Sequence, residues 1–262
     1  MMKLNLPFSD ILPCGVCSFA DVGELFECRA KSRIPQDAKS VIVYLFPYLL
    51  DKSLYKNSNI SKYAVPGDYH IIVGEYLEKA TYELKEKYPH NQFEFFCDNS
   101  PVDEVRAAAL CGLGVKGKNG LLINKKYGSY CFIGEIVTDL EAEYVTVKEK
   151  ACQECDLCLK KCPGNAITSD GININKCLSH ITQMKGELSS ENIDLIKESG
   201  CIWGCDVCQD VCPMNKNASV TPIEEFKNTA VSNFVFNGNI DGRAYNWRGR
   251  KVIERNLRYI SE

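Results

Sequence analysis

The chain has 262 residues, 45% of them hydrophobic and 25% charged, with a formal net charge of −3. That length supports one large domain or two modest ones with real cores, and the near-neutral charge offers no global basic field for nucleic acid. No apolar run reaches the ~20 residues of a membrane helix, and residues 1–12 lack the basic start and cleavage site of a signal peptide, so a cytoplasmic protein with no membrane contact is expected.

In chain order, residues 40–46 (Ser-Val-Ile-Val-Tyr-Leu-Phe) form a continuous apolar run with the pattern of a buried strand. Residues 68–88 place Val73, Leu77, Ala80 and Leu84 on one face of an amphipathic helix. Residues 92–97 read as a second strand running into Asp98-Asn-Ser-Pro101, a turn and helix start, with a helix over 102–113 stopped by Gly112 and Gly114. Residues 121–124 and 130–138 read as strands with a hairpin-like connection at Tyr127-Gly-Ser129. Residues 1–145 are therefore an α/β or α+β region. Residues 146–216 lose strand character and gain cysteines, which predicts short helices joined by loops. Residues 217–262 form a tail, basic and partly helical, with Val252, Ile253, Leu257 and Ile260 as its inward stripe. Its arginines and its Tyr245 and Trp247 are candidates either for RNA contact or for packing.

Fifteen cysteines are the outlying count, and eight of them fall between Cys152 and Cys212 in tight groups, with Cys201 nearby. Cys152-x2-Cys155-x2-Cys158-x3-Cys162-Pro163 is the bacterial ferredoxin run. Two-residue spacers wrap a loop that presents three thiolates to one cubane, and the fourth, one turn later and before a proline, points to a second cubane. Cys205-x2-Cys208-x3-Cys212-Pro213 repeats the pattern with one cysteine fewer. The expected ligands are Cys152, Cys155, Cys158 and Cys212 for one [4Fe-4S] cluster, and Cys162, Cys177, Cys205 and Cys208 for the other. Cys201 competes with Cys177 for the last position. Zinc is the other common use of paired CxxC motifs, and the reciprocal Cys-Pro ends favour iron–sulfur. Cys97, Cys111 and Cys131 lie in apolar patterns and read as core residues, while Cys14-x2-Cys17 is either a redox or metal pair or a pair of small core residues.

A two-cluster ferredoxin needs far fewer residues than this, so the first region is expected to bind what the clusters reduce. Gly112-Leu-Gly-Val-Lys-Gly-Lys-Asn-Gly120 is either backbone approaching a ligand or a plain connection; it matches neither a P-loop nor GxGxxG. Asp98, ahead of a proline and a helix, reads on its own as a helix N-cap.

Asp98-Asn-Ser-Pro-Val102, the glycine–lysine loop, Leu121-Leu-Ile-Asn124, Tyr127–Asp139, Ser61-Lys-Tyr63, Asp68-Tyr-His70, Cys177-Leu-Ser179 and Gly204–Pro213 together resemble, in order, the epoxyqueuosine reductase family over roughly residues 35 to 258. The resemblance implies a cobalamin-binding-type first domain followed by a ferredoxin-like double-cluster domain, as in the related reductive dehalogenases. It also implies reduction of the epoxide on a modified tRNA base. Asp98 would be the proton donor, its carboxyl raised in pKa by burial. Cobalamin contacts would fall on Asn119, Leu122, Ser129, Ser179, Asp206 and Gln209. The implied partners are tRNA and an external low-potential electron donor of ferredoxin or flavodoxin type. Against the family pattern, His180 replaces a usual tyrosine, the opening segment is short, and a C-terminal helical repeat domain is expected to be lacking. The competing readings are a two-cluster electron carrier without cobalamin and a corrinoid carrier without turnover.

Overall fold

The computed structural model describes residues 3–144, 147–148, 150–153 and 155–261; the expected boundary at 145/146 lies outside them. The elements are β1 (Cys14–Ser18), β2 (Ser40–Pro47), α1 (Tyr69–Lys87), β3 (Phe93–Cys97), α2 (Glu104–Leu110), β4 (Val115–Lys116), β5 (Leu122–Ile123) and β6 (Cys131–Thr138). After these come α3 (Leu157–Lys161), β7 (Ile167–Thr168), β8 (Gly171–Ile172), α4 (Leu178–Ile181), α5 (Ser190–Ser199), α6 (Val207–Asp210), α7 (Glu224–Asn228) and α8 (Arg250–Ser261).

The main sheet has the order β1-β2-β6-β3 and every pairing is antiparallel, so α+β describes it. β2 explains its own composition. Ile42, Tyr44 and Phe46 join the cluster under α1, with Val73, Leu77 and Leu84. Val41, Val43 and Leu45 join the cluster under α2, with Ala107 to Leu110. Successive side chains point to opposite faces of a strand, and both faces are covered, so the run is apolar throughout. Gly134 in β6 sets how closely α1 can lie: a Cβ there would sit 2.8 Å from Leu77 Cδ1 and 2.9 Å from Phe46 Cε2.

The same alternation decides Cys14 and Cys17. Three residues apart on β1, they face opposite sides of the sheet, Cys14 toward the α1 cluster and Cys17 toward the α2 cluster. They cannot act as a redox or metal pair.

Several expected elements shift. The helix over 102–113 contracts to α2, and its N-cap is Asp103, whose side chain accepts from Arg106 N. The strand at 121–124 contracts to β5, which pairs with β4 and not with β6, so the glycine–lysine loop is the turn of its own small hairpin. The Tyr127 connection is a tight turn in which Asn124 and Gly128 exchange both backbone hydrogen bonds, but it joins two different sheets.

The tail is packed into the body. Tyr245, Val252, Ile253 and Leu257 share a core with Ile60, Val65 and Trp203. Arg243 is buried, and its guanidinium donates to the carbonyls of Ala64, Val65 and Thr229. It is spent on backbone and not on phosphate.

Candidate functional site

Two short helices organise the cysteines. α3 and α6 pack against each other, each with a CxxC motif running into it and a Cys-Pro following it. Cys152, Cys155, Cys158, Cys208 and Cys212 line one cavity. Cys177, Cys205 and Cys208 line a second, and Cys162 and Cys177 lie near enough to Cys208 to act on its thiol electrostatically. Cys212 thus stands with the first group of cysteines, while Cys162 is linked to the second only through its action on Cys208. Backbone N–H groups point at the sulfurs: Lys118 N donates to Cys152 Sγ at 3.4 Å and Ala166 N to Cys162 Sγ at 3.2 Å. Such bonds tune cluster potential. The cysteines of the two groups stand on the walls of these cavities. Cys201 behaves differently. Its S–H donates to the carbonyls of Trp203 and Gly204, a role that a cluster-bound thiolate cannot fill.

The cavity with Cys177, Cys205 and Cys208 measures about 340 Å³ and also carries Asp98, Asn119, Leu122, Ser129, Ser179 and Gln209 on its walls. Five of the six residues expected at the cofactor come together there. Asn119, Ser129 and Gln209 are buried, and they are held: Gln209 Oε1 accepts from Tyr48 Oη and Ser129 Oγ, and Asn215 Nδ2 donates to Ser129 Oγ. Asp206 is the exception. It stands behind this wall, accepting from Lys62 N at 2.7 Å and from Gln209 Nε2 at 3.2 Å, so it orients Gln209. The glycines of the loop serve its own hairpin, for a Cβ on Gly114 would meet Ile123 O at 2.7 Å. Its ligand-facing contribution is Asn119.

An adjoining cavity of about 600 Å³ shares Tyr63, Tyr69, Asp98, Phe132 and Ser179 with the first and adds Asp68, His70, Gln183 and Trp247. Asp98 and Asn99 sit there with φ of 58° and 45°, successive left-handed residues of the strained kind that gather at functional sites. The loop is pinned from below by Ser100, whose Oγ donates to Glu135 Oε2 at 2.5 Å. Glu135 is 1% exposed, and burial holds its carboxyl well above the usual range.

Asp98 does not have the raised pKa expected for it. The His70 ring beside it holds the carboxyl well below the usual carboxylate range, despite opposing desolvation, helped by Tyr69 Oη at 2.7 Å and Asn99 N. His70 is pushed up to about 9 by hydrogen bonds to Asp68 and then Asp98. Its Nδ1 lies 2.8 Å from Asp68 and its Nε2 3.2 Å from Asp98. At neutral pH the group is carboxylate–imidazolium–carboxylate, and the mobile proton sits on His70. Sequence reasoning quoted Asp68-Tyr-His70 without giving it a role; the signal was an N-cap aspartate two residues before one of only three histidines.

Comparisons with known proteins agree with this arrangement. Residues 151–215 match the family model described as a 4Fe-4S double cluster binding domain, and residues 30–99 match that of epoxyqueuosine reductase QueG, DUF1730. A bare electron carrier does not account for the second match. The epoxyqueuosine reductase of Lactococcus garvieae is 32% identical over 243 residues, 86% of this chain and 69% of that protein. That of Cyclobacterium marinum is 36% identical over 189 residues, 70% of this chain and 61% of that protein, so the chain spans about two thirds of the length of these relatives. The structure of epoxyqueuosine reductase from Streptococcus thermophilus superposes with a TM-score of 0.76 at 25% identity, over 95% of this chain and 76% of that one. A crystal structure of epoxyqueuosine reductase with an epoxyqueuosine-modified tRNA-Tyr stem loop shares the fold, with a TM-score of 0.78 at 24% identity over 96% and 78%. No helix among the described residues is long and apolar enough to cross a membrane. On the strength of these matches, the chain is an iron–sulfur oxidoreductase that belongs to the epoxyqueuosine reductase family.

Proposed function

We propose that the chain opens the epoxide of a queuosine-type base carried in tRNA, using cobalamin together with its two [4Fe-4S] clusters. The observation that carries the reading is the one cavity that has Asp98 on its wall along with Cys177, Cys205 and Cys208. Cobalamin suits the residues present. Leu122, Phe132 and Ile133 offer an apolar wall, Asn119, Ser129, Ser179 and Gln209 offer polar contacts, and Asp206 fixes Gln209 from behind. When bound, the clusters supply electrons one at a time and the cobalt centre carries the reductive step.

The chain's own part is the proton. Opening an epoxide to an alkene consumes two electrons and two protons and releases the oxygen as water, so acid must stand beside that oxygen; the chain gives the first proton and solvent water the second. The Asp98–His70 pair holds one proton between Nε2 and Oδ2 at 3.2 Å. It rests on His70 and crosses to Asp98 as the departing oxygen draws on it, the two groups titrating as a pair. Tyr69 Oη and Asn99 N orient the carboxylate. Electrons enter from an external ferredoxin- or flavodoxin-type donor near the Cys152 set, where Lys160 and Lys161 are exposed while Lys116 and Lys118 are paired with Asp103 and Asp156.

The test is anaerobic reconstitution followed by titration with cob(II)alamin, read by cobalt EPR. A protein-bound signal saturating at one equivalent, with turnover of epoxyqueuosine in tRNA that Asp98→Asn abolishes while still binding corrinoid, is the expected result. Full iron loading with no corrinoid signal would sink the proposal.

A further inference from the structure

We propose that Trp247 is the platform on which a base of the RNA substrate stacks at the mouth of the Asp98 cavity, with Arg248 as its partner. The inference rests on the RNA-borne substrate proposed above. Among the exposed large apolar side chains of the described residues, Trp247 is the one on the wall of this cavity, and it is 58% exposed. A single exposed indole is ordinary on a protein surface; what distinguishes this one is that it stands on the wall of the cavity that carries Asp98. Its position is fixed by its neighbours. Ala244 and Tyr245 are buried in the core, and the turn Asn246–Arg248 is closed by Asn246 N to Arg243 O at 2.9 Å and Gly249 N to Asn246 O at 2.8 Å. The platform is therefore rigid, and a base docking on it loses little to ordering the protein.

The second observation concerns Arg248. Its guanidinium carbon lies 3.8 Å from the centre of the Trp247 ring, and its Nε is buried with no hydrogen-bond partner among the described residues. A planar cation stacked on an exposed indole leaves the other face of the ring for a base and N–H donors for base edges or phosphate. Single-stranded RNA is recognised by this combination of aromatic face and arginine plane. Lys251 and Arg258 lie exposed on the following helix α8, where flanking phosphates would be favoured. Tyr245, the other candidate aromatic of this segment, is 1% exposed and closed to such a role.

The experiment measures binding of a fluorescently labelled RNA stem–loop with purines in its loop, by anisotropy at fixed salt, to the reconstituted chain and its variants. Cob(II)alamin binding is measured in parallel. Trp247→Ala should weaken RNA binding by about 5- to 150-fold, the range for loss of one base–aromatic stack, and leave cob(II)alamin binding unchanged. Trp247→Phe should restore most of the RNA affinity. RNA binding by Trp247→Ala equal to wild type overturns the inference and leaves the proposed function standing. Loss of cob(II)alamin affinity in place of RNA affinity assigns the indole to the cofactor and also overturns it. A wild-type chain that does not bind the RNA overturns both.

Discussion

Replacing Asp68 by asparagine separates the two jobs of that residue. Asp68 caps α1 by accepting from His70 N at 3.0 Å, and it charges the His70 ring from 2.8 Å. Asparagine is as good an N-cap as aspartate, so the helix should survive while the charge is lost. A unit charge about 4 Å away contributes roughly 1 kcal/mol in water and about 4 kcal/mol at an effective dielectric of 20. The His70 side chain is 41% exposed, which pulls the value toward the lower limit, about 1–2 kcal/mol or roughly one pH unit. The assay is an NMR titration of the imidazoles, with His90→Gln and His180→Gln identifying the other two rings. Wild-type His70 should titrate near the value of about 9 to which its partners push it, and Asp68→Asn about one unit lower. The sign of the stability effect follows. A raised histidine pKa contributes stability that is fully present below about pH 6.5 and is lost as pH rises through about 9. In Asp68→Asn the contribution should be smaller below pH 6.5, begin to fall at the same pH and be gone about one unit earlier, the two proteins converging only above both midpoints. An unchanged midpoint in the variant, or a wild-type midpoint near 6.5, would refute the three-group arrangement.

Two further outcomes are expected. Cys177→Ser should cut the iron content of the reconstituted chain from about eight per chain to about four, since the double-cluster domain holds four irons per cluster, whereas Cys201→Ser should keep all eight; equal loss in both would reverse the choice between them. Glu135→Gln should raise stability at pH 7 in denaturant titration. Native Glu135 keeps its proton well above its ordinary pKa of 4.5, so the unfolded state is favoured as pH rises past that value; a destabilised variant at pH 7 would show that the carboxyl is ionised where it stands.

Parts of this protein were legible without coordinates because their constraints are local. A cubane takes three thiolates from one short loop, so Cys152-x2-Cys155-x2-Cys158 announces it. β2 is readable because burial on both faces makes every position from Val41 to Phe46 hydrophobic. α1 is readable because one of its faces is apolar at helical spacing. β1 was missed because a five-residue strand containing a glycine and two cysteines carries no periodic signal, and pairing with β2 is what makes it a strand. The strand at 121–124 was assigned the wrong neighbour because partner choice is a property of the assembled sheet.

The site divides along the same line. Sequence by itself pointed to a double-cluster domain, which the family match over residues 151–215 shows, and it nominated Asp98, Asn119, Ser129 and Gln209, because each sits in a motif with fixed neighbours. Only the tertiary structure decided what those groups are chemically. Asp98 is a carboxylate because His70, 28 residues earlier, reaches it from the start of α1. Asp206 stands behind the cavity because Lys62, from a distant turn, holds it there. Tyr245 is core and Trp247 is open to solvent two residues later, though both were equal candidates in the sequence. Protonation state and exposure depend on the whole field of charges and packed atoms around a group, and that field exists only once the chain has folded.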